Sequence, residues 1–196
     1  VYQTIPDSAV LAGGLKNSGS PAEISLLPEA ARQAKSMDLK KDPWKACQPV
    51  GPFRMMAAPG LKIEFAAVNR EIRILFEDLS HGMSRPVYMK RGHKEKFEPN
   101  WLGDSVGKWE NGVLVVDTIG FNDATWLNGA GAQHSDALHL VERVRPIQSG
   151  KYLEYKVTAE DPKVLTKPYT YVRYYEKLDS EIGEDICDED EADLRR

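Results

Sequence analysis

A chain of 196 residues with 41% hydrophobic and 29% charged content carries enough apolar side chain for the core of one domain and is not of disordered composition. Its formal charge of −4 sits mostly at the C-terminus, where residues 184–196 hold seven acids against two arginines; the rest is close to neutral and has no Lys/Arg cluster interleaved with aromatics, which argues against a nucleic-acid partner. No apolar run is long enough to span a bilayer, and no charged segment followed by an apolar one opens the chain as a signal peptide does.

Residues 1–60 read as an irregular arm punctuated by Gly, Ser and Pro. Within it only residues 25–39 have helical composition, with Pro28 placed early, where a helix does not need its N–H. The stretch DPWKACQPVGPFRMM holds too many prolines for regular structure. From Leu61 the period changes to two. In LKIEFAAV, Leu61, Ile63, Phe65 and Ala67 alternate with Lys62 and Glu64; Asn69 and Arg70 supply a turn, and EIRILFE places Ile72, Ile74 and Phe76 on one face. RPVYMK (85–90), DSVGKWE (104–110) and GVLVVDT (112–118) follow, the last two joined at Asn111 and Gly112, a pair suited to the positive φ of a tight hairpin turn. ALHLVERVR, KYLEYKVTAE and PYTYVRYYEKL complete the series. Roughly eight antiparallel strands without intervening helices predict an all-β, lipocalin-like up-and-down barrel over residues 61–183, followed by an acidic tail over 184–196.

A barrel of this size is just wide enough to be filled by side chains or to hold one small ligand. KYLEYKVTAE directs Leu153, Tyr155, Val157 and Ala159 inward, and ALHLVERVR directs Leu138, Leu140 and Val144 inward together with Glu142. A carboxylate on an apolar face is costly unless paired, so Glu142 is either the partner of an arginine such as Arg173 or an acid/base group with a raised pKa. The two cysteines, Cys47 and Cys187, lie far apart in Pro-rich or acidic surroundings, which suggests a disulfide worth about 2–4 kcal/mol outside the cytosol; two unrelated thiols in a cytosolic protein is the other reading. Val1 in place of an initiator Met fits either a processed mature form or a trimmed chain.

Chemistry-bearing residues concentrate between Trp101 and Arg143, which hold three of the four Trp and two of the four His. FNDATWLNGAGAQHSD, residues 121–136, reads as a Gly-punctuated loop carrying Asn122, Asp123, Thr125, Trp126 and His134 between two strong strands, either a binding rim or a self-capping structural loop. A neutral His134 hydrogen-bonded to Asp123 or Asp136 is a candidate general base. His134 and His139 lack the spacing of a metal motif, and joining them with His81 and His93 would need the fold to do it; no metal and no cofactor is expected. Ser105 in GDSVG lacks the order of a nucleophile elbow, and Gly103 and Gly107 open no helix for phosphate. Trp101, Tyr88 and Trp126 supply aromatic surface for a ligand, Trp126 above all, whereas Trp109 and Phe121 read as packing.

The order of DPWKACQPVGPFRMM, GDSVGKWENGVLVVDTIGFNDATWL, HSDALHLVERVR, TAEDPKVLTKPYT and ICDED resembles a family of secreted proteins of proteobacteria and acidobacteria with the pattern G-x-W-E-x-x-x-L-V-V-D-T-x-x-F-N followed by H-S-D-x-L. The resemblance implies an extracytoplasmic, periplasmic or secreted protein whose signal peptide has been removed, supports the disulfide, and marks His81, Arg85, Trp101, Asp117, Asn122, His134 and Glu142 as site positions. It names no reaction. SRPVYMKRGHKEK departs from the R-x-I-Y-x-D-G-R-x-H-P of relatives, with Lys90 or Arg91 in place of the aspartate.

These residues lead to the expectation of a cofactor-independent acid/base enzyme of lyase, isomerase or cyclase type, acting on a hydrophobic or aromatic small molecule in a barrel pocket. His134 would be the base, Asp123 its orienter, Asn122 a polarising group and Glu142 the second titrating group, with Trp126, Trp101, Tyr88, His81, Arg85 and His139 around the substrate. A non-catalytic lipocalin-like binding protein is the alternative, and a packed interaction module a third.

Overall fold

The computed structural model describes residues 1–77 and 84–183. Nine strands close into a barrel: β1 (Tyr2–Thr4), β2 (Lys62–Val68), β3 (Glu71–Glu77), β4 (Ser84–Tyr88), β5 (Asp104–Glu110), β6 (Val113–Ile119), β7 (His139–Ile147), β8 (Tyr152–Glu160) and β9 (Tyr169–Lys177). The all-β barrel and eight of its strands fall where the alternation predicts them. Asn69 and the pair Asn111-Gly112 take positive φ at the two short turns, as such hairpins require.

Two features differ from that expectation. Tyr2–Thr4, inside the segment read as an arm, forms the strand that closes the barrel, with Tyr2 opposite both Ile63 and Lys177. Three residues are too few to show a period. The barrel is also not wholly antiparallel, because β4 and β5 run parallel, with Val87 opposite Ser105 and Tyr88 opposite Val106. A short turn cannot join parallel neighbours, so residues 89–103 carry the chain back along the outside before β5 begins.

Of the residues the alternation turns inward, Ile63, Ile74, Phe76, Leu140, Tyr155, Val157 and Ala159 are buried, whereas Phe65 and Ile72 are half-buried and Ala67 is exposed; β9 adds Tyr171 and Tyr175 to the core. One end is plugged by a short helix, α2 (Pro52–Met55), which follows α1 (Pro28–Ser36) of the arm. Phe53, Met55 and Met56 enter the core there, and the Tyr171 and Tyr175 hydroxyls donate to the carbonyls of Phe53 (2.5 Å) and Met56 (2.7 Å). The prolines of DPWKACQPVGPFRMM do not prevent helix: Pro43 and Pro52 occupy first-turn positions of a 3₁₀ turn and of α2, where an absent N–H loses nothing. Ile5, Leu11 and Leu15 of the arm cover the outward Tyr152 and Tyr174. No helix among the described residues is long and apolar enough to cross a membrane.

Candidate functional site

Glu142 faces inward beside Leu140 and Val144 and is fully buried, but its partner is Arg85 rather than Arg173. Arg85 donates from Nη1 to Glu142 Oε1 (2.9 Å), from Nη2 to Glu142 Oε2, from Nε to Ser105 Oγ (2.9 Å) and from Nη2 to Thr118 Oγ1 (2.6 Å); the Tyr155 hydroxyl donates to Glu142 Oε1. The network draws one residue from each of β4, β5, β6, β7 and β8. Arg173 instead donates to the Gly19 carbonyl at 2.7 Å. Burial opposes the charge on Arg85, but the adjacent carboxylate outweighs it and holds the guanidinium pKa above its ordinary value; burial, then Glu142, pushes the Tyr155 phenol well up. Among the described residues no buried side-chain polar atom lacks a hydrogen-bond partner. Arg85 and Glu142 therefore make a closed network that does not reach solvent.

The loop of residues 121–136 is more buried than its composition suggests. His134 is 7% exposed; its Nδ1 faces the Ser135 carbonyl (2.9 Å) and its Nε2 the Thr125 hydroxyl (2.6 Å). A carbonyl only accepts, so Nδ1 carries the hydrogen and Nε2 accepts a hydrogen bond from the Thr125 hydroxyl. Burial lowers the His134 pKa, against the opposing pull of the Ser135 bond and of the Asp161 and Asp123 charges, so the ring is neutral near pH 7. Asp123 is exposed and, with His134, Ser135 and Lys163, lines a polar pocket of about 350 Å³. Asp136 pairs with Lys163 (2.6 Å), not with His134. Asn122 accepts from the Ala124 N–H (3.2 Å) in a local turn, Trp126 is buried, and Trp101 is half-buried ahead of β5. His81 and Cys187 lie outside the described residues.

A different cluster forms on the outer face. Val116 and Thr118 point inward on β6, so Asp117 points out; Leu140 points inward on β7, so His139 points out. Onto this pair the returning segment 89–103 lays His93. The His93 Nε2 lies 2.9 Å and the His139 Nε2 3.1 Å from the same atom, Asp117 Oδ1. Behind them, His93 Nδ1 is 3.0 Å from Asp104 Oδ2, and His139 Nδ1 is 3.9 Å from Glu160 Oε2. Asp104 accepts both terminal nitrogens of Arg91, which with the His93 contact holds its carboxyl down at about 2, while the Arg91 guanidinium lies 3.8 Å from the centre of the Tyr88 ring. Of the residues expected near a ligand, Tyr88 and His139 reach this cluster; His93, Asp104 and Arg91 come to it only through the fold.

Gly120 seats the segment that carries His93. At φ +76° it has no side chain where the Phe97 ring packs; a Cβ there would lie 1.9 Å from Phe97 Cε2. The Asn100 N–H donates to the Gly120 carbonyl (3.1 Å) and the Asn122 N–H to the Asn100 carbonyl (3.0 Å), which fixes the return path.

Both ring nitrogens of His93 face carboxylate oxygens, whereas a neutral imidazole can donate to only one of them. The His93 ring thus links Asp104 and Asp117 by hydrogen bonds, His139 Nε2 stands against the same Asp117 oxygen, and the group is open to solvent at Asp117, whose side chain is 43% exposed. No family model matches the chain, and no curated protein matches it.

Proposed function

We propose that the protein is an acid/base enzyme of lyase or isomerase type, acting on a small organic molecule at the His93–Asp117–His139 cluster. The observation that carries this reading is the convergence of two imidazole Nε2 atoms on one carboxylate oxygen. Asp117 is the most exposed of the three and meets the substrate; its carboxylate takes a proton from a carbon or hydroxyl, and an imidazole returns one elsewhere on the same molecule. Return to a second carbon is isomerisation, and return to a departing group is elimination. Either way the proton count closes within the cluster. Asp104, kept ionised by Arg91, orients His93 as a carboxylate orients the histidine of other acid/base pairs.

In this reading His134, Glu142, Arg85 and Trp126 shape the barrel and its rim and do not touch the reacting atoms. The lipocalin-like character, the extracytoplasmic location, the Cys47–Cys187 disulfide and membership of the secreted family belong to the same proposal. The test is incubation in D₂O with lignin-derived phenolics, terpenoids and steroids, read by mass spectrometry for new masses, shifted retention or deuterium uptake. Asp117→Asn should lose at least about 10²-fold in rate with an unchanged melting temperature. Turnover that survives Asp117→Asn would remove the cluster from the chemistry.

A further inference from the structure

Between the arm and the barrel lies a groove of about 600 Å³, distinct in its lining from the histidine cluster and from the His134 pocket. Val50, Met55 and Leu61 of its floor are themselves core residues, and Pro21 and Trp44 stand at its sides. It is open because the chain turns sharply at Gly60 (φ +75°) on its way into β2 and because Gly129, at the rim, has no side chain: a Cβ there would lie 3.3 Å from Arg54 Nη2.

The charges along this groove are already matched. Arg54 donates to both carboxylate oxygens of Asp42 (2.7 and 2.8 Å). Glu77 accepts from Lys62 Nζ and from the Gly183 N–H, both at 2.5 Å, and the Lys62 bond first, then the Gly183 bond, lower its pKa. The Asn128 side chain is engaged as well, donating to the Pro21 carbonyl (3.1 Å) and accepting from the Ala130 (3.0 Å) and Ala132 (3.3 Å) N–H groups. An ionic ligand entering here would find no uncompensated counter-charge and would lose its hydration, at a cost that apolar contact does not return. An uncharged apolar ligand loses nothing of that kind and packs against Ala22, Trp44, Ala58 and Pro59, apolar lining residues that keep exposed surface.

We infer that this groove is a binding site for an uncharged, predominantly apolar small molecule, its volume lying within the range of ordinary small-molecule sites. Since no lining residue is shared with the His93–Asp117–His139 cluster, the site stands whether or not that cluster is catalytic.

Two fluorophores with one aromatic skeleton test it: neutral N-phenyl-1-naphthylamine and anionic 8-anilinonaphthalene-1-sulfonate. The expected result is saturable one-to-one enhancement with the neutral probe and at least about tenfold weaker binding of the sulfonate, a difference of about 1.4 kcal/mol. Ala58→Trp, which fills the groove, should weaken the neutral probe by at least tenfold, and Gly129→Leu serves the same purpose if the tryptophan variant does not fold. Asp117→Asn should bind the probe as the parent does. Absence of saturable binding, equal affinity for the sulfonate, or undiminished affinity in a folded groove-filled variant would each overturn the inference.

Discussion

The guanidinium of Arg85 lies against the carboxylate of Glu142 inside the barrel, two nitrogens on two oxygens, with both side chains closed to solvent. Removing one member leaves a buried charge; removing the set leaves an apolar interior. Glu142→Leu should therefore cost about 3–5 kcal/mol in urea unfolding, while the triple variant Arg85→Met, Glu142→Leu, Tyr155→Phe recovers most of that loss. Ser105 Oγ and Thr118 Oγ1 lie 3.0 Å apart, so each still has a partner once Arg85 is replaced. A single variant costing under about 1 kcal/mol would mean that water reaches Arg85.

Asp104 couples stability to acid. Its carboxyl titrates at about 2 in the folded state, against an ordinary 3.8, first because of the Arg91 hydrogen bond. A folded pKa below the unfolded one stabilises the fold above pH 3.8, and this contribution disappears as the pH falls through about 2. Asp104→Asn should cost about 1–2 kcal/mol at pH 7, with a difference that shrinks below pH 4. A difference that persists unchanged at pH 2 would assign the cost to lost packing.

His134 acts in a higher window. Burial lowers its pKa below 6.5, so an unfolded chain takes up a proton that the folded chain refuses, and stability declines as the pH drops below 6.5. The comparison that isolates His134 is the parent against His134→Gln. Between pH 7 and 5 the urea midpoint of the parent should fall more steeply; parallel slopes would mean that the ring is protonated in place.

Gly120 offers a test of how His93 is held. Gly120→Ala is strained at φ +76° and drives its Cβ into Phe97, whereas Gly112→Ala is strained at φ +81° with open space around it. Gly112→Ala should lose about 1–2 kcal/mol of stability, and Gly120→Ala more, because the Phe97 ring must also shift. Only Gly120→Ala should reduce turnover, because only there does the segment bearing His93 move. Equal turnover in the two variants would show that this segment is placed without Phe97.

The strands were readable because period two is a local property. Glu71–Glu77 buries Ile74 and Phe76 and Tyr152–Glu160 buries Leu153, Tyr155, Val157 and Ala159, every second residue, and the inward position of Glu142 follows from Leu140 and Val144 alone. The same reasoning separates Asp117 and His139 from the interior. It stops at faces. Which arginine meets Glu142 depends on cross-barrel neighbours, and alternation on β9 carries no information about the reach of Arg85 from β4.

The polar composition of residues 121–136 suits a binding rim and a self-capping loop equally; in the fold Thr125 and His134 bond to each other and Trp126 is buried. Composition records which groups can hydrogen-bond; only packing shows whether they bond to one another or await a ligand. Local pattern therefore determined the barrel, its inward faces and its tight turns. The closing strand Tyr2–Thr4, the parallel pairing of β4 with β5 and the arrival of His93 at Asp117 were decided by tertiary structure, because each depends on residues distant in the chain meeting in space.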